Sequence, residues 1–402
     1  MDTSAPAAAT ERPASPAQLA WLTREAARWA ADGVVSTDQA AAIVGGYRVV
    51  RRWSLAALGL WLGAGFVGVG VIWLVAANLD RFPPLGRFLT VALLWLASVA
   101  AAEIAARRIR TRRSPVVGGL RGLAVLLYGG VVLQAAQSLQ VPAFDATLIG
   151  VWAAGALLYA YAVRGLAPLV VGIVLGSGWL VWTLGERAAG PFGVLLAFGA
   201  LGAAGFALAR LHHGQAGGFA ATWRLAGAVG ALAALFVAAL PWNYELTDAG
   251  WPGWTAIALA VGLAALAAAR ARGLDLLEAI AGVLVLVPAL AVGAWSSHAS
   301  SDIGAADITR AVVAVAVFVA AAAAVAAIGV LRDEPHLTWL AVLALAVFTT
   351  VQAFAVFAEV ITGAWLFVAL GIVFAATGWV ADRGRREMAT ALDVITAEGT
   401  DR

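Results

Sequence analysis

The sequence predicts an all-α fold: a polytopic transmembrane bundle of about twelve spanning helices, preceded by a small N-terminal cytoplasmic helical hairpin. Three observations lead there: an apolar composition, a series of helix-length apolar runs, and a one-sided distribution of arginine.

Hydrophobic residues make up 62% of the chain and charged residues 12%, with a mean hydropathy of +0.90. A soluble domain carries roughly 25% charged residues, so this chain has about half the charge needed to cover a water-facing surface. A bilayer accepts the excess. Cysteine is absent, which excludes disulfides, thiolate chemistry and cysteine-ligated metals.

Twelve apolar runs follow one another at 54–77, 87–106, 116–136, 146–163, 167–184, 191–210, 223–240, 253–270, 275–295, 308–331, 336–357 and 361–381. Most approach the ~20 residues that cross ~30 Å of hydrocarbon at 1.5 Å per residue. The runs at 146–163, 167–184 and 253–270 are the short ones. The break between the last two rests on Glu359, because an unbroken stretch there would be about twice too long for one crossing.

All 26 basic residues are arginine. With the N-terminus inside, only Arg81, Arg87, Arg187 and Arg310 fall on the outer side. The bias supports an even count and both termini in the cytoplasm. It also explains the pI of 9.8 by orientation in the membrane, with no nucleic-acid partner. Tryptophan agrees, with Trp53, Trp223, Trp339 and Trp379 near inner ends and Trp152, Trp182, Trp254 and Trp295 among those near outer ends. The first long apolar run begins near Trp53, too late for a cleavable signal peptide, so the first span is expected to direct insertion.

Residues 1–16 are rich in Ala, Pro, Ser and Thr and are expected to form a disordered arm. A hairpin is expected over 17–52. Leu19, Leu22, Ala26 and Trp29 form one helical stripe, Asp32 and Gly33 end it, and Ser36 with Gln39 has capping-box spacing. The membrane part divides into an N-terminal bundle, 53–184, and a C-terminal bundle, 185–381, followed by a cytoplasmic tail over 382–402. Gly59/Gly63, Gly118/Gly122 and Gly172/Gly176 are small-residue steps that permit close helix packing and offer a homo-oligomer face. Pro288 should kink the ninth span.

Several strings recur together: the run Trp29 to Gln39 (WAADGVVSTDQ), Ala76 to Asp80 (AANLD), and Leu133 to Gln137 (LQAAQ), with Trp152 in the next span. This pattern resembles the bacterial predicted-membrane-protein family called domain of unknown function 2157, over roughly residues 17–184. A Trp usually follows the Asn in that family, and Leu79 departs from it. The resemblance implies a membrane protein and brings no catalytic residues, because the family has no established activity.

Polar residues in hydrocarbon are costly and are functional candidates for that reason. Gln134, Gln137 and Ser138 share a helix face in the outer half of the third span. Asn78 and Asp80 lie at the outer end of the first, Thr349, Thr350 and Gln352 in the outer half of the eleventh, and Glu359 just beyond. Asn78, Asp80, Gln134, Gln137, Gln352 and Glu359 therefore form a candidate ligand-binding set around an outward-facing pocket. The alternative is interhelical hydrogen-bonding. Glu103, Asp275 and Glu278 sit at inner ends near Arg107 and Arg272, where snorkelling or surface pairing accounts for them. His298, Asp302 and Asp307 share an outer loop that reads as solvated. No catalytic motif, cofactor motif or metal site is expected, so an enzyme is not predicted. Two readings stay open: transport or binding of a small solute at the outer pocket, and a non-transporting scaffold or envelope sensor acting through the hairpin. The lipid bilayer is the one partner the sequence names. The ligand is unknown.

Overall fold

A computed structural model of the chain describes residues 12–14, 16–49, 83–109, 114–139, 145–187, 190–213, 218–240, 250–295 and 305–352, together with 59, 63, 66, 67 and 70. Among them are twelve helices and one short strand pair. The strands β1 (Arg12–Ala14) and β2 (Tyr47–Val49) pair in parallel. β1 thus falls within the arm expected to be disordered. The bridge uses backbone groups alone, which composition does not reveal.

Helices α1 (Pro16–Ala31) and α2 (Thr37–Gly45) pack together, with Ala26 and Ala40 buried. Gly33 turns the chain at φ 74°, a conformation that costs an L-residue side chain. The Gln39 N–H donates to Ser36 Oγ at 3.1 Å, and the Ser36 N–H donates to Gln39 Oε1 at 2.9 Å. These bonds close a capping box and satisfy two otherwise unpartnered donors.

The remaining helices are α3 (Pro84–Arg108), α4 (Pro115–Ser138), α5 (Ala146–Val163), α6 (Leu166–Arg187), α7 (Pro191–Leu211), α8 (Phe219–Ala239), α9 (Gly250–Ala269), α10 (Leu274–Ala294), α11 (Ala305–Leu331) and α12 (Pro335–Gln352). All ten are long and apolar enough to cross a membrane. They coincide with the second to eleventh apolar runs, including the three short ones. The first run, 54–77, lies outside the described residues except for Gly59, Gly63, Phe66, Val67 and Gly70, which are helical and exposed. The last run, 361–381, lies wholly outside them.

Outward faces carry large apolar side chains: Leu158 is 74% exposed, Leu259 71% and Leu343 63%. Water would not tolerate so many, whereas lipid accepts them while each helix satisfies its own backbone.

The chain separates into two compact units, residues 1–77 with 96–126, and residues 78–95 with 127–402. In the first, Arg121 and Glu103 form a two-point pair, Nε–Oε1 and Nη2–Oε2 both at 3.0 Å. In the second, α7 is central and packs against α6, α8, α9 and α10. The α7–α8 seam is built from glycine. A Cβ on Gly205 would strike the Cα of Gly227, and one on Gly230 would lie 2.6 Å from the Gly202 nitrogen. A Cβ on Gly282 of α10 would lie 2.5 Å from Ala203 Cα. Backbones this close gain dispersion contacts that larger side chains would prevent. These glycines make the tight contacts among the described residues, where Gly59 and Gly63 meet no neighbour.

One tryptophan expected in the aromatic belts, Trp223, instead fills the interior, while Trp152 is half-buried. Trp223 is 8% exposed and donates to the Tyr161 hydroxyl at 3.1 Å, and the Trp152 ring occupies the space left by Gly129. Trp251, Trp254, Trp295 and Trp339 remain exposed near helix ends, as amphipathic rings at a headgroup level should. Pro288 sits inside α10, which continues to Ala294, and its missing N–H leaves the Leu284 carbonyl without a helical donor.

Candidate functional site

Antiparallel helices bring alternating termini to each end of the second unit. At one end meet the C-terminus of α7, the first turns of α8 and α10, and the three-residue turn between α11 and α12. Each contributes charge. Arg224 Nε lies 2.6 Å from Glu278 Oε1, both side chains 3% exposed. Arg224 also pairs with Glu334, and Arg332 pairs with Asp275 and, at 2.5 Å, with Glu278 Oε2. Arg210 reaches Asp275 at 3.5 Å and donates to the Arg270 carbonyl at 3.1 Å.

Three guanidiniums, Arg210, Arg224 and Arg332, thus face three carboxylates, Asp275, Glu278 and Glu334. The group is neutral as a whole, which is the condition under which buried charge is tolerated. Helix ends assist. Asp275 sits in the first turn of α10 and Arg210 in the last turn of α7, each matched to the partial charge of its terminus. Asp333 makes the tight turn possible by adopting φ 52°, a left-handed conformation that Asp tolerates better than most residues. Burial raises the Glu334 carboxyl, but the His336 hydrogen bond and the Arg224 charge outweigh it and hold the group below the ordinary carboxylate range.

By sequence, Asp275 and Glu278 are expected at a surface. Asp275 is half-buried, but Glu278 is buried, and its partners come from α8 and the α11–α12 turn, far away in sequence. Glu103 likewise pairs with Arg121, on the next helix. The sequence carries one sign of the cluster, depth: Arg210, Arg224, Arg332, Asp275 and Glu278 all fall at inner ends of predicted spans.

This cluster forms one end of a cavity of about 590 Å³ between α10 and α11, closed behind by Phe206, Ala231 and Leu232. Asp275, Glu278, Arg332 and Arg272 supply its polar lining, and the rest is apolar. The volume lies within the roughly 300–1,000 Å³ range of small-molecule sites.

The opposite end is also polar, but its groups are spent on helix capping. Arg310 of α11 is 7% exposed and donates to the carbonyls of Ala238 at 3.0 Å, Leu240 at 3.2 Å and Val292 at 3.3 Å. Gln352 of α12, 5% exposed, donates from Nε2 to the Ala239 carbonyl at 3.0 Å. These donors satisfy carbonyls that the ends of α8 and α10 leave without intrahelical partners. Among the described residues, the buried Gln352 Oε1 has no hydrogen-bond partner.

Of the six residues expected around an outer pocket, Asn78, Asp80 and Glu359 lie outside the described residues. Gln134 is buried in α4, whereas Gln137, one turn later, is exposed. No hydrogen bond joins Gln134, Gln137 and Gln352 to one another among the described residues. The Thr349 and Thr350 hydroxyls donate to carbonyls of their own helix, at 2.7 Å each. His298 and Asp302 also lie outside the described residues, and Asp307 falls in the first turn of α11.

Residues 27–169 match the family described as a predicted membrane protein, domain of unknown function 2157. The match falls on the segment whose strings resembled that family. It ends early in α6, so the helices that form the ionic cluster and the cavity lie beyond it. Comparison with curated proteins found no match, and neither did comparison with solved structures.

Proposed function

We propose that this chain is a non-enzymatic protein of the bacterial cytoplasmic membrane that binds a small ligand in the cavity between α10 and α11. In this reading it crosses the bilayer about twelve times with both termini in the cytoplasm. The hairpin of α1 and α2 then lies on the cytoplasmic side, and the ionic cluster faces the same side. One observation carries the reading: the 590 Å³ cavity is apolar along its length and charged at one end. Such a space suits a ligand with an apolar body and a polar head, and a few convergent polar groups in an apolar pocket are the usual form of a binding site.

The test uses the natural absence of cysteine. Ala281→Cys places one thiol in the cavity lining. It should react with an impermeant thiol reagent supplied from the cytoplasmic side of oriented vesicles, and not from the other side. A thiol that reacts from neither side would mean a closed packing defect.

A second reading has an observation of its own. The unpartnered Gln352 Oε1 supports a polar pocket at the outer end, in which Gln352 joins Gln134, Gln137, Asn78, Asp80 and Glu359. A Cys at Gln137 reacting only from outside, with Gln352→Leu abolishing ligand-dependent protection of that Cys, would favour it.

A further inference from the structure

We infer that the cavity between α10 and α11 holds one acyl chain of an anionic phospholipid, with the lipid phosphate held by the Arg272 guanidinium. This rests on the proposal that the cavity is a binding site and names its occupant.

The charges that line the cavity differ in what they have left to give. Asp275, Glu278 and Arg332 are already committed to ion pairs. Arg272 is exposed, lines the same cavity, and has no partner among the described residues. The surplus at the mouth is therefore one positive charge. An ammonium head would have to compete with guanidiniums for Asp275 and Glu278, whereas a phosphate meets a cation whose donors are unused. Arginine also suits phosphate geometrically, because its planar fork presents parallel donors to two oxygens.

The walls specify the rest of the ligand. Leu274, Leu277 and Leu284 line the cavity and are each more than half exposed, so it opens sideways on the surface of the bundle as well as towards its charged end. In a bilayer that side is lipid, and an acyl chain enters without crossing water. A small hydrophilic anion would gain nothing from these walls and would desolvate against them. An anionic lipid with its head at Arg272 and a chain along Leu284 and Ala324 satisfies both ends of the cavity.

The experiment uses the full chain in liposomes carrying trace phosphatidylglycerol with a diazirine at the end of one acyl chain, and phosphatidylcholine with the same chain in parallel. Photolysis and peptide mapping should place phosphatidylglycerol adducts on cavity-lining residues of α10 and α11. Arg272→Gln should lower their yield about tenfold, the size expected for one charge-assisted contact, and Arg272→Lys should restore much of it. Equal labelling by both lipids, or labelling indifferent to Arg272→Gln, would overturn the inference. So would loss of the adduct on adding millimolar inorganic phosphate, which would mark a small-anion site. An accessible Cys at Ala281 without any lipid adduct would leave the binding site standing and remove this occupant. An unreactive Cys together with no lipid adduct would remove both.

Discussion

Arg224 of α8 and Glu278 of α10 meet at 2.6 Å with 3% of each side chain exposed. Fifty-four residues separate them in the chain, so the pair ties together two helices that are not sequence neighbours. Removing one partner leaves an uncompensated buried charge, at a cost of about 3–5 kcal/mol. Arg224→Met should therefore lower the thermal midpoint in detergent sharply. The double variant Arg224→Met with Glu278→Met should be less destabilised than the two single effects added together. Strict additivity would mean that the two groups do not interact.

The glycine seam gives a separate prediction. A Cβ at Gly205 has nowhere to go but into the Gly227 backbone. Gly205→Ala should destabilise the bundle by about 1–3 kcal/mol through overpacking, despite the better helix propensity of Ala. Gly262→Ala on α9, where space is open, is the matched control and should be neutral or slightly stabilising. Equal effects at both positions would argue against a close α7–α8 approach.

Glu334 makes stability depend on pH. Its folded carboxyl titrates below the ordinary range, so its contribution is complete above the unfolded value. That contribution is lost as pH falls through the lowered folded value. The thermal midpoint should drop on acidification through that window. Glu334→Gln should be less stable at neutral pH and show a flatter acid limb. An unchanged acid limb in Glu334→Gln would assign the pH dependence to other groups.

Gln352 separates capping from binding at the opposite end. Its Nε2 donates to the Ala239 carbonyl, a contact worth about 0.5–1.5 kcal/mol. Gln352→Leu should lower stability by that amount and leave the accessibility of a Cys at Ala281 unchanged. A change in that accessibility would show the two ends to be coupled.

What the sequence made legible was periodic and local. Apolar runs marked each of α3 to α12 because bilayer thickness sets their length, and Ser36 with Gln39 marked the start of α2. The charge cluster was not legible in the same way. Glu278 reads as a surface carboxylate beside Arg272, and only the fold reveals that Arg224 and Arg332 arrive from other helices. The seam was missed for a related reason. Gly202/Gly205 and Gly227/Gly230 recur every three residues rather than four, and nothing local tells which glycines will face each other. Gln134 and Gln137 share a helix stripe by spacing, yet one is buried and the other exposed, because the edge of the α4 packing face falls between them.

The space between α10 and α11 is the proposed binding site. An electron cryomicroscopy map of the full chain in phosphatidylglycerol nanodiscs tests it directly. The expected result is elongated non-protein density lying along Leu284 and Ala324 and ending beside Arg272, with the Arg224–Glu278 pair intact behind it. Helices α10 and α11 packed side chain to side chain, with no space between them and no added density, would contradict it.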